Sequence, residues 1–87
     1  AEDRLYSKGL YMKECNWIPS EPIKKEFKCK AKFRYRQDEQ GVTVHIGDGG
    51  ITVDFDEKQR AITEGQFCVF YDDEKCLGGG VIEKAIF

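Results

Sequence analysis

The chain has 87 residues, 40% of them apolar, and a formal net charge of -2. That length suits one domain and is too short for two, and the charge excludes a uniformly basic polyanion binder. Nothing approaches the roughly 20 consecutive apolar residues of a membrane helix, and no signal peptide opens the chain, so no membrane partner is expected.

The elements read mostly as strands. Leu5 to Lys13 is the first, centred on Leu10 and Tyr11. Asn16 to Pro22 is a connection, because its prolines block sheet pairing and bias the preceding residues to extended backbone. Phe27 to Gln37 then alternates apolar and cationic residues strictly. A strand sends successive side chains to opposite faces, so Phe27, Cys29, Ala31, Phe33 and Tyr35 are expected inward. The outward face carries Lys28, Lys30, Lys32, Arg34 and Arg36. Neighbouring charges on such a stripe lie about 6.6 Å apart and repel by roughly 0.6 kcal/mol in water before screening.

Asp38 to Gly41 reads as a turn, Val42 to Ile46 as a strand, and Gly47 to Gly50 as a hairpin signal with an Asp-Gly pair. Ile51 to Asp56 follows, with Asp54 and Asp56 outward. Glu57 to Arg60 is a polar connection ahead of Ala61-Ile62-Thr63, and Glu64-Gly65 turns the chain. Gln66 to Tyr71 is apolar on both parities, as in a strand covered on both sides. Asp72 to Lys75 is a turn, Gly78-Gly79-Gly80 marks a bulge or corner where only glycine fits, and Val81 to Phe87 is the last strand-like run. No segment has helical periodicity. About six strands with frequent turns predict an all-β fold, a small antiparallel β-barrel that hides its edges, over residues 1–87.

Charge is segregated along this frame. Seven of the fourteen cations lie between Lys24 and Arg36, where Glu26 is the only acid; from Gln37 onward four cations face eleven acids. A basic patch serves a polyanion locally even on an acidic protein, since charges beyond a Debye length count little. Two uses of the stripe stand side by side. Asp54 and Asp56 neutralise it across the sheet, or an anionic partner does. In a meander the strand of Thr43 and His45 lies between, so direct pairing is expected to fail. With Phe33 and Tyr35 inward, no aromatic shares the cationic face, which favours phosphate contacts over base stacking.

Catalytic and metal chemistry find little support. The single His45 and the four cysteines, none at CxxC spacing, exclude an ordinary zinc site. Cys15, Cys29, Cys68 and Cys76 read as reduced thiols of a cytoplasmic protein. Cys76 as a nucleophile needs a base that the sequence does not place near it. The triple glycine lacks the Lys-Ser/Thr of a phosphate loop, Asp72-Asp73-Glu74 lacks calcium-loop spacing, and Trp17 reads as a plug over one end of the barrel. No catalytic residue and no metal ligand is expected in this chain.

Several segments taken in order resemble one family. Asn16-Trp17 with Pro22, Arg34-Tyr35-Arg36-Gln37, Phe55-Asp56-Glu57, Ala61-Ile62-Thr63, Gly65-Gln66, Val69-Phe70-Tyr71 and Cys76 through Glu83 are similar to the C-terminal domain of tRNA-specific 2-thiouridylases. Lys58 and Glu64 stand where that pattern often has proline. The resemblance implies a barrel like the second domain of elongation factors. It implies a parent tRNA-uridine 2-sulfurtransferase that activates the wobble uridine with ATP and receives sulfur from a donor protein. The ATP site and the catalytic cysteines would lie in preceding domains of the same chain; this part would hold no cofactor, and Cys76 would not carry sulfur. The opening at Ala1-Glu2-Asp3, without Met, agrees with a C-terminal fragment. RNA contact is then expected from Lys28, Lys30, Lys32, Arg34, Arg36 and Gln37, with docking on the preceding domains as the alternative use of the same face.

Overall fold

The computed structural model describes residues 5–87, so the opening tripeptide lies outside the described residues. The fold is all-β. Its strands are β1 (Tyr6–Met12), β2 (Asn16–Trp17), β3 (Glu26–Lys32), β4 (Gln40–Gly47), β5 (Gly50–Arg60), β6 (Phe67–Asp72), β7 (Lys75–Val81) and β8 (Lys84–Ile86). They form one antiparallel sheet in the order β2-β7-β6-β3-β4-β5-β1-β8.

The sheet is strongly curled, and its pairings show how. Gly9 lies opposite Ile86 in the β1–β8 ladder. Trp17, eight residues on, lies opposite Gly78, eight residues back, in the β2–β7 ladder. Both ladders therefore keep one register, and β2 and β8 continue β1 and β7 beyond a bend. The glycine run makes that approach possible. A Cβ on Gly78 would collide with the Asn16 carbonyl oxygen, and one on Gly80 would stand 2.6 Å from the Glu14 carbonyl oxygen. The expected corner where only glycine fits is thus a seam between two bent segments.

Eight strands replace the expected six or so because the bends divide what the pattern joins. The Asn16–Pro22 connection begins with a short strand, and Cys76 to Phe87 holds β7 and β8. β5 also runs on through Glu57–Arg60; its register with β1 jumps from Ser7–Gln59 to Gly9–Asp54, so extra β5 residues bulge opposite Lys8.

The alternation in β3, β4 and β5 buries Ala31, Val42, Val44, Val53 and Phe55 together with Leu10, Met12, Cys68, Phe70 and Ile82. Phe33 packs on Phe55 with ring centroids 5.0 Å apart. Trp17 closes one side of this core: it stacks on Phe70 at 5.5 Å and meets Phe27 edge-on at 6.0 Å. Gly78 is paired with both Trp17 and Phe70, so the two rings meet across a position that has no side chain.

Candidate nucleic-acid interface

The long cationic strand is shorter than its alternation suggests. Pairing with β6 ends at Lys32–Val69, and pairing with β4 ends at Ala31–Gln40. The chain then leaves the sheet. The Gln37 N–H donates to the Arg34 carbonyl at 3.2 Å, closing a four-residue turn with Tyr35 and Arg36 at its centre. Phe33 still reaches the core at 3% exposure, but Tyr35 is 92% exposed. The expected inward position of Tyr35 is therefore corrected: parity stops being informative once the strand ends.

Both ends of the turn are pinned. Arg34 Nη2 donates to the carbonyls of Arg60 at 2.7 Å and Ala61 at 2.8 Å. Gln37 Oε1 accepts from the Phe33 N–H at 3.2 Å, while its Nε2 donates to Gln59 Oε1 at 3.0 Å. Gln59 donates in turn to Gln40 Oε1 at 3.2 Å, a polar network that satisfies a largely buried amide. Of the Arg34-to-Gln37 segment, Arg34 and Gln37 hold the turn while Tyr35 and Arg36 are presented by it.

The remaining cations divide by what faces them. Lys28 is neutralised: its Nζ lies 3.3 Å from Asp56 Oδ1, across the intervening strand β4. The expectation that direct pairing fails is overturned here. Gly41 explains why, since a Cβ there would collide with the Asp56 carboxylate, which occupies the space a side chain would take. None of the ion pairs among the described residues involves Lys30, Lys32, Arg34 or Arg36.

Aromatic groups do share this face, contrary to the sequence expectation. Tyr71 lies directly opposite Lys30 and Val69 opposite Lys32. The outer side of β6 is also not fully covered, as its two-sided apolarity suggested: Phe67 is 55% exposed and Val69 and Tyr71 are half-buried. Between β6 and the turn lies a cleft of about 340 Å3. A second, of about 550 Å3, lies on the other side of Phe67 against the seam, lined by Glu14, Cys15, Val81 and Glu83 among others.

His45 is the other charged feature of the outer face. Its Nε2 is 2.8 Å from Asp54 Oδ2 and its Nδ1 3.1 Å from Glu26 Oε1, a clamp across β3, β4 and β5. The hydrogen bond to Asp54 is the main cause raising its pKa above the ordinary 6.5; burial opposes the shift, and Glu26 reinforces it. Because the folded-state value is raised, the clamp stabilises fully below about pH 6.5 and is lost as pH rises through the folded value. The urea midpoint should fall from pH 6 to pH 8.5 in the native protein and fall less in His45→Gln.

With both ring nitrogens engaged, His45 is not placed as a base for a thiol. The four cysteines are free. Burial foremost pushes Cys15 to about 12, helped by Cys76 and Cys29, and pushes Cys29 to about 12, helped by Asp72. Cys68 is raised as well, again chiefly by burial. Raised in this way, the thiols of Cys15, Cys29 and Cys68 stay protonated near neutral pH. Among the described residues no cluster of three or more His, Cys, Asp or Glu suits a metal ion, and no helix is long and apolar enough to cross a membrane.

The class is that of a curled, all-antiparallel β-domain with a cationic and partly aromatic outer face, and residues 7–82 match the family model described as "Aminomethyltransferase beta-barrel domain". The chain is 55% identical over 82 residues to a tRNA-specific 2-thiouridylase MnmA of Exiguobacterium sibiricum, covering 93% of this chain and 22% of that protein. It is 54% identical over 81 residues to the protein of the same name from Hahella chejuensis, with the same coverage. It is 48% identical over 83 residues to that of Lactococcus lactis subsp. cremoris, covering 95% and 22%. The chain belongs to the family of C-terminal β-barrel domains of tRNA-specific 2-thiouridylases. It spans about a fifth of the length of the curated relatives it matches (22%).

Proposed function

We propose that this chain is the C-terminal barrel, of the elongation-factor domain 2 type, of a cytoplasmic enzyme that 2-thiolates the wobble uridine of tRNA, and that it helps bind and position the tRNA. ATP and the sulfur-donor protein would be used by preceding catalytic domains, and this domain alone would not be catalytic. The observation that carries the reading is the row Lys30, Lys32 and Arg36, exposed or half-buried and outside every ion pair among the described residues, on a domain whose relatives are named for acting on tRNA. Phosphates neutralise such a row; strand β3 fixes the spacing of Lys30 and Lys32, and the turn beyond it presents Arg36. The stripe enters this reading in reduced form, since Lys28 is already paired and Arg34 and Gln37 hold the turn.

The test is Lys30→Glu/Lys32→Glu in the full-length protein, titrated with a substrate tRNA transcript at 50 and 200 mM salt. Each lost phosphate contact lowers the salt slope by about 1, so the double variant should lower it by about 2 and bind at least tenfold more weakly at 50 mM. Unchanged affinity and slope would refute RNA contact by this face. Arg34→Glu is a poor probe, because it also frees the turn.

A second reading, docking on the other domains without RNA contact, draws on exposed Phe67 and Val81 beside the larger cleft. It predicts that Phe67→Ser would disturb the full-length protein's thermal transition while leaving the salt slope intact.

A further inference from the structure

We infer that the seam cleft is a protein-docking surface, and that its occupant is an apolar and basic patch on the preceding domains of the same polypeptide. This rests on the reading of the chain as one domain of a longer enzyme, gives the docking reading its surface, and leaves the cationic row to RNA.

Phe67 lies directly opposite Val81 in the β6–β7 ladder, and both are more than half exposed. The Phe67 ring is propped on bare backbone: a Cβ on Gly79 would stand 2.8 Å from it. A ring supported in this way is already placed, so little ordering cost is left for binding. Beside it the cleft of about 550 Å3 is lined by Gly79, Gly80 and Cys15, whose thiol stays neutral. An aromatic anchor with an aliphatic neighbour at the edge of a neutral cleft has the composition of an interface centre.

Charge selects the kind of occupant. Besides Cys15, the titratable groups at the cleft are Lys13, Glu14 and Glu83. Lys13 Nζ lies 3.7 Å from Glu83 Oε1, whereas Glu14 is outside every ion pair among the described residues. The cleft therefore presents a net negative charge and no free cation, which repels a phosphate backbone. A protein surface with a lysine or arginine beside an apolar side chain meets both features. A second copy is disfavoured, because a two-fold contact here would bring the two Glu14 carboxylates together.

Tethering selects the source. The chain spans 22% of the length of its relatives. In a protein of that length the other domains stay beside this one at high effective concentration, ahead of any free partner.

Hydroxyl-radical footprinting of the full-length protein reads Phe67 directly. Phe67 should be oxidised at least fivefold more slowly in the native protein than in Glu14→Lys or Val81→Lys, each of which sets a cation against the incoming one. Tyr35 should be oxidised equally in all three. Glu14 and Val81 are exposed, so neither substitution threatens the barrel. Equal oxidation of Phe67 in the native protein and both variants would overturn the inference. Protection of Tyr6 or Phe87 without Phe67 would overturn this surface but leave the docking reading standing. Protection that appears only with added tRNA would assign the cleft to RNA, and protection that rises with protein concentration would assign it to a second copy; either overturns the inference. The salt slope of Lys30→Glu/Lys32→Glu is a separate measurement, so the RNA reading stands or falls independently.

Discussion

Gly78→Ala is expected to destabilise the domain by about 3 kcal/mol or more, combining a disallowed backbone angle with overpacking. Gly78 has φ of 143°, a conformation closed to L side chains. An added Cβ would also collide with the Asn16 carbonyl oxygen and stand 2.9 Å from the Trp17 Cα. Both contacts are backbone, so no side-chain rotation relieves them. Relief requires β2 to part from β7, which also draws Trp17 off Phe70. The check is a urea titration followed by tryptophan fluorescence, with Trp17 as the only indole. Gly49→Ala is the control, because nothing lies within 4 Å of the Cβ it would add.

Phe70→Ala should cost about 3–5 kcal/mol, the usual range for removing a fully buried aromatic side chain. Phe70 has no exposed surface and joins β6 to the central cluster. Its loss leaves a cavity and takes the stacking partner from Trp17, whose ring already sits at the margin of the core. Phe67→Ala, three residues earlier on the outward parity, should change stability far less, since Phe67 is more than half exposed. The difference between the two variants in calorimetric Tm tests whether β6 has one buried face or two.

Much of this fold is legible in the sequence, because a period of two is hard to mistake where strands are long. The inward sets of β3, β4 and β5 follow from alternation alone, and the Asp48-Gly49 turn fixes the register between β4 and β5. The end of β3 is hidden by the same signal. Arg34, Tyr35 and Arg36 continue the alternation without a glycine or proline, although the chain has already left the sheet. What stops the strand is tertiary: the reach of Arg34 and Gln37 to Arg60, Ala61 and Gln59, which lie more than twenty residues away. The pairing of Lys28 with Asp56 was hidden for a related reason. Parity placed both outward, but only the missing side chain at Gly41 lets them meet across β4. The cationic strand and its neighbours were readable; the exposed tyrosine, the half-open face of β6 and the cleft between them were not, because each depends on where pairing stops.

The common register across the bend has a kinetic consequence. β4 and β5 are joined by a tight turn and can zip locally, whereas the Gly9–Ile86 and Trp17–Gly78 pairs join segments far apart in the chain. Chain closure of that kind is entropically costly and gives nothing back until both segments are in place. The β3–β4–β5 meander is therefore the expected nucleus, and the glycine-lined seam is expected to close last. The cationic strand, being part of that meander, is then expected to take shape before the domain is complete.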